Sequence, residues 1–156
     1  MSIDVGSKAP DFSLVNQDRA TVRLSDEVKK GPVVLAFLPG AFSSVCTKEL
    51  CTFRDSMARL NSAQAQVYGI SVDTFFTLKA FQDAQGYNFP LLSDFNKQAI
   101  KEFGVFNEDM IGLKGIAKRA VFVIDKDGIV RHKEVLDDAR NEPNYDKVFS
   151  TLATLS

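Results

Sequence analysis

The two cysteines of this 156-residue chain lie five positions apart in Pro39-Gly-Ala-Phe-Ser-Ser-Val-Cys-Thr-Lys-Glu-Leu-Cys51. Serine is a favoured helix N-cap, and capping by either Ser43 or Ser44 puts Cys46 in the first helical turn. A thiolate there faces backbone N–H groups that lack a partner within the helix. These donors and the positive end of the helix dipole favour the anion, so Cys46 is a candidate nucleophile. Positions 46, 50, 53, 57 and 60 are Cys, Leu, Phe, Met and Leu, and this alternation of four- and three-residue steps lays one apolar stripe along a helix. Cys46 heads the stripe, which predicts a shallow, partly shielded pocket beside Pro39.

On an intact helix Cys51 points about 140° away from Cys46, with the Cα atoms roughly 8 to 9 Å apart. A disulfide needs Cα atoms within about 7 Å and converging Cβ vectors. A bridge between the two therefore requires the start of the helix to unwind. Each thiol also has a plain structural reading as a small buried hydrophobe. A zinc site would have only these two cysteines and the single histidine, His132, which falls in a solvent-facing strand pattern; that set is too small and too scattered. Neither metal nor cofactor is expected.

The elements that must position these residues alternate between strand and helix, an α/β pattern. Val33 to Leu38, Val67 to Val72 and Ala120 to Ile124 are apolar runs of the kind found in buried central strands. Residues 129–135 follow the turn sequence Asp125-Lys-Asp-Gly128 as the second strand of a hairpin. Helices are predicted at 44–61, 74–85, 96–103 and 144–155, with a short turn at 25–29. Residues 6–15 and 20–24 read as two strands that extend the sheet at its edge. Residues 104–118, with three glycines and little periodicity, read as a long loop of the kind that often carries function.

The chain is long enough for one domain with a substantial core that needs no disulfide staples. Its formal net charge is −1, from 19 basic and 20 acidic residues spread along the sequence. No window concentrates Lys and Arg with aromatics, which argues against nucleic-acid or membrane-surface binding. No stretch approaches the roughly 18 apolar residues of a membrane span, and the first residues lack the pattern of a secretory signal. The expected location is the cytoplasm, where a cysteine pair is more often catalytic, redox-active or metal-binding than structural.

Pro39-x-x-x-Ser43-x-x-Cys46 resembles the active-site motif of the peroxiredoxins, thiol peroxidases on a thioredoxin-like fold. Cys46-Thr-Lys-Glu-Leu-Cys51, followed by Phe53-Arg-Asp55, is similar to the subgroup called bacterioferritin comigratory protein, or PrxQ. The resemblance extends through Gly6 to Phe12, Phe89 to Asp94 and Lys118 to Asp125. It implies a single domain, 1–156, with a central mixed β-sheet flanked by helices and an N-terminal β extension.

It also implies that Cys46 attacks the terminal oxygen of a hydroperoxide and becomes a sulfenic acid. Ser43 would hold the peroxide, Pro39 would cover the site, Arg119 would bind sulfur and peroxide, and Glu49 would orient Arg119. Cys51 would resolve the sulfenic acid as an intramolecular disulfide, and a thioredoxin-like dithiol would reduce it. Ser43 stands where threonine is more usual; the hydroxyl is kept and a methyl is lost. With no cysteine near residue 156, resolution falls to Cys51 or to an outside thiol. Three rival readings are a one-cysteine peroxidase with Cys51 structural, a thioredoxin-like redox adaptor, which lacks its usual Cys-x-x-Cys here, and an inactive binding module. The subgroup contains monomers and homodimers; the apolar Phe103 to Ile116 region favours a dimer.

Overall fold

The computed structural model describes residues 3–155. Its first elements are a hairpin, β1 Ser13–Asn16 and β2 Thr21–Arg23, whose turn is held by the Asn16 side chain accepting from the N–H groups of Asp18 and Ala20. A helical turn, α1 Leu24–Glu27, then leads to β3 Val33–Phe37. The helices α2 Ser44–Asp55 and α3 Met57–Ser62 follow, then β4 Gln66–Ser71 and α4 Phe75–Gln85. Next come β5 Leu91–Ser93, α5 Gln98–Glu102, and a two-strand ribbon of β6 Phe106–Asn107 with β7 Ile116–Ala117. The chain ends in β8 Arg119–Ile124, β9 Val130–Leu136 and α6 Tyr145–Ala153.

The seven-stranded sheet runs β2-β1-β5-β4-β3-β8-β9. It is mixed: β3 and β5 lie parallel to β4, while β8 is antiparallel to both β3 and β9. Alternation along its central strands builds two cores. Val33, Leu35, Phe37 and Phe122 face one, with Phe12 and Phe103; Val34, Ala36, Val121 and Val123 face the other, with Cys46, Leu50 and Phe53 of α2. Counting back from Val121 by two puts Arg119 on the face that α2 covers. Gly69 lets the helix settle there: a methyl at that position would lie 2.8 Å from Leu91 Cδ2 and 3.4 Å from Leu50 Cδ1.

Several boundaries differ from expectation. The helix predicted over 44–61 is broken at Ser56, whose backbone (φ −101°, ψ 8°) leaves the helical region, yet Cys46, Leu50, Phe53 and Leu60 are still buried in one core. The helix predicted at 96–103 spans five residues, with the buried Asp94 carboxylate accepting from the N–H groups of Gln98, Ala99 and Ile100. Residues 104–118 form the short ribbon rather than a featureless loop, and its tip carries Ile111, 90% exposed. β5 has only three residues after Pro90, too few to show a period. His132 is half-buried rather than solvent-facing, and its Nε2 is closed off from solvent.

Candidate active site

α2 starts directly behind the C-terminal end of β3. Ser43 occupies the N-cap with extended backbone (φ −68°, ψ 150°), but its hydroxyl makes no capping bond. Its carbonyl accepts from the Thr47 N–H and hydroxyl at 2.9 and 2.8 Å. Ser43 is exposed and lines the cleft together with buried Pro39. Phe42, just before the cap, holds a left-handed φ of 66°, a conformation that costs a non-glycine residue of order 1 kcal/mol. Its ring packs on Phe81 at 4.8 Å. The Ala41 N–H is fixed by Asp73 Oδ2 at 2.7 Å, the same oxygen that accepts from the Ser71 hydroxyl at 2.7 Å.

Cys46 is fully buried rather than partly shielded; it belongs to the core with Leu50 and Phe53, and Arg119 reaches it from β8. The guanidinium makes three bonds in different directions. Nη2 donates to Cys46 Sγ at 3.2 Å, Nη1 to Glu49 Oε2 at 2.7 Å, and Nε to the Ala139 carbonyl at 2.9 Å. Burial alone disfavours the Arg119 charge, but the Cys46 sulfur and the Glu49 carboxylate more than offset this and strengthen its hold on the proton. Burial pushes the Glu49 carboxyl up to about 7, although the charge and hydrogen bond of Arg119 pull it down. Glu49 Oε1 has no hydrogen-bond partner.

A cleft of about 1230 Å³ opens beside this cluster. It is bounded by the Pro39 to Val45 turn, the ribbon tip with Met110 and Ile111, and residues 136–140, and it reaches Arg119 and Ser43. A buried guanidinium meets one sulfur in the first turn of a helix beside this opening. Such an arrangement can stabilise negative charge that develops on an oxygen next to the sulfur.

The structure therefore brings Pro39, Ser43, Cys46, Glu49 and Arg119 together, and holds Cys51 apart. Cys51 is on the same unbroken helix, half-buried on another face, with Sγ 3.8 Å from both Gln85 Oε1 and the Tyr87 hydroxyl. Sequence reasoning missed Asp73 and the Ala139 carbonyl. Neither belongs to a motif, and only the topology carries them to the site. Among the described residues no three His, Cys, Asp or Glu side chains converge as a cation site, and no helix is long and apolar enough to cross a membrane.

The model of the AhpC/TSA family matches residues 5–133. Over 99% of its length the chain is 36% identical to the chloroplastic 2-cysteine peroxiredoxin of Chattonella marina var. antiqua, of which it covers 82%. It is 37% identical to alkyl hydroperoxide reductase E of Mycobacterium bovis, over 85% of this chain and 86% of that protein. The crystal structure of peroxidoxin BcpB from Mycobacterium tuberculosis superposes with a TM-score of 0.89 at 33% identity, covering 99% of each chain. A family match over most of the sequence and a shared fold lead to one assignment: the chain belongs to the AhpC/TSA family and is a peroxiredoxin.

Proposed function

We propose that the protein reduces hydrogen peroxide and organic hydroperoxides at Cys46 and that Cys51 completes the cycle. The observation that carries this reading is the 3.2 Å bond from Arg119 Nη2 to the buried Cys46 sulfur at the start of α2. The Cys46 thiolate attacks the terminal peroxide oxygen and the O–O bond breaks. The departing oxygen takes the electron pair and a proton, leaving as water or an alcohol, and Cys46 becomes a sulfenic acid. Arg119 and the N–H groups of Val45 and Cys46 stabilise the charge on that oxygen, as fixed donors do in a site that excludes water. In this reading the Ser43 hydroxyl holds the peroxide, Pro39 keeps bulk water out, and Glu49 sets the angle of the guanidinium.

Resolution follows when the first turns of α2 unwind and the Cys51 thiol attacks the Cys46 sulfur. The S–S bond forms, the S–O bond breaks, and water leaves. A thioredoxin-like dithiol then reduces the exposed bridge by exchange. The reading includes a cytoplasmic setting, which keeps the pair reduced, and a homodimer that covers Ile111 and Leu113 of the ribbon tip, the latter 51% exposed. A second reading, in which Cys51 is structural and an outside thiol resolves Cys46, rests on the contacts that turn Cys51 toward Gln85 and Tyr87. Adding one equivalent of hydrogen peroxide to reduced protein without oxygen, quenching within seconds and mapping peptide masses across 46–51 separates the two. A Cys46 to Cys51 bridge supports the first reading, oxidation of Cys46 alone supports the second, and no rapid thiol loss refutes both.

A further inference from the structure

Tyr87 lies outside α2 yet touches it at the two places that a bridge between the cysteines must pull apart. α4 ends at Gly86, whose left-handed φ of 63° turns the chain back, and Tyr87 follows with its ring buried. That ring meets Phe81 edge-on at 5.1 Å and stacks on Phe89 at 5.4 Å. Its hydroxyl is therefore carried by an aromatic group anchored outside α2. The hydroxyl donates to the Thr47 carbonyl at 3.3 Å and lies 3.8 Å from Cys51 Sγ. Thr47 O is also the carbonyl that accepts the Cys51 N–H in the α-helical pattern, so one phenol reinforces the helical turn joining the two cysteines.

We propose that Tyr87 is a positioning residue that latches the wound form of α2 and thereby sets how long the Cys46 sulfenic acid survives before Cys51 reaches it. This rests on the reading of Cys51 as the resolving thiol. When residues 46–51 leave the helix to join the sulfurs, the Thr47 carbonyl turns away from the phenol and Cys51 Sγ leaves its contact with it. Both interactions exist only in the wound, peroxide-reactive form. Burial raises the Tyr87 phenol well above its ordinary range, followed in size by its contact with Cys51, so it remains a donor at neutral pH. A phenol has one proton, which goes to Thr47; the Cys51 thiol is then the donor toward Tyr87 or Gln85. The latch competes with damage: a second hydroperoxide converts the waiting sulfenic acid to a sulfinic acid and is itself reduced to an alcohol or water.

A neutral hydrogen bond of ordinary strength corresponds to roughly a fivefold change in the wound-to-unwound ratio. Tyr87→Phe keeps the ring and removes only the hydroxyl. Stopped-flow kinetics should then show bridge formation about fivefold faster, an unchanged rate for the first oxidation, and about fivefold more peroxide needed for half-conversion to the sulfinic acid. Tyr68→Phe is the control, since it removes another buried phenol, bonded to Glu27 at 2.7 Å away from α2, and should change none of these. Amide hydrogen exchange over residues 47–51 of the reduced protein gives a readout independent of the bridge, and should be about fivefold faster in Tyr87→Phe. Unchanged exchange overturns the latch, as does equal acceleration by Tyr68→Phe. Failure of the unsubstituted protein to form the bridge, with exchange accelerated as stated, leaves the latch on the helix standing and refutes the resolving role of Cys51.

Discussion

Replacing Glu49 by Gln removes one ionisable group from the centre of the buried cluster and leaves an acceptor for Arg119 Nη1. The carboxyl is raised from the ordinary 4.5 to about 7, by burial first, against the charge and hydrogen bond of Arg119. A carboxyl with a raised value binds its proton more tightly in the folded state. The resulting stability is fully present below about pH 4.5 and is lost as pH rises through about 7. The shift corresponds to about 3 kcal/mol in all, most of which disappears between about pH 5 and pH 8. The glutamine variant lacks this loss. Urea unfolding of both proteins across that range should show wild type losing about 2–3 kcal/mol relative to Glu49→Gln. Taking the difference cancels the other carboxylates and any pH-independent cost of the amide. A difference constant within error from pH 5 to pH 8 would refute the reasoning, because it would mean that Arg119 keeps the carboxylate ionised throughout.

Other parts of the site make separate predictions. Arg119→Lys keeps a charge but loses the planar fork that reaches Cys46, Glu49 and Ala139 together; the second-order rate of Cys46 oxidation should fall by about 10²-fold or more in stopped-flow assays, and an unchanged rate would remove the guanidinium from the mechanism. Asp73→Ala deprives the Ala41 N–H and the Ser71 hydroxyl of their shared acceptor. It should destabilise the protein by about 1–3 kcal/mol and slow the peroxide step, because the turn before Ser43 loosens. Phe53→Ala empties a fully buried position that meets Tyr145 edge-on at 5.6 Å. It should cost about 3–5 kcal/mol in denaturant unfolding, with a smaller loss indicating that α2 collapses into the space.

Much of this arrangement was legible from local pattern. The apolar runs at β3, β4 and β8 have turn signals beside them, and the 46, 50, 53, 60 stripe of α2 is buried as its spacing requires. Arg119 was suggested by resemblance; its orientation follows from counting back along β8, once β8 is known to lie beside β3. What could not be read depends on contacts between distant parts of the chain. Asp73 reaches Ala41 across 32 positions, and Tyr87 reaches Thr47 across 40. Neither has a local signal, since a polar residue after a strand and a tyrosine in an aromatic segment are ordinary. The break at Ser56 and the three-residue β5 were hidden because both are shorter than the period a sequence pattern needs. Complete burial of Cys46 depends likewise on distant groups, the core residues that surround it and Arg119 from 73 positions away.

The proposed cycle depends most on peroxide finding Cys46 and not Cys51. The direct test is a stopped-flow reaction of reduced Cys51→Ser with hydrogen peroxide, with a dimedone-type sulfenic acid trap and peptide mapping. Cys46 should react far faster than a free cysteine at the same pH and carry one trap adduct per chain. A rate no greater than that of free cysteine, or an adduct absent from Cys46, would contradict the account at its centre.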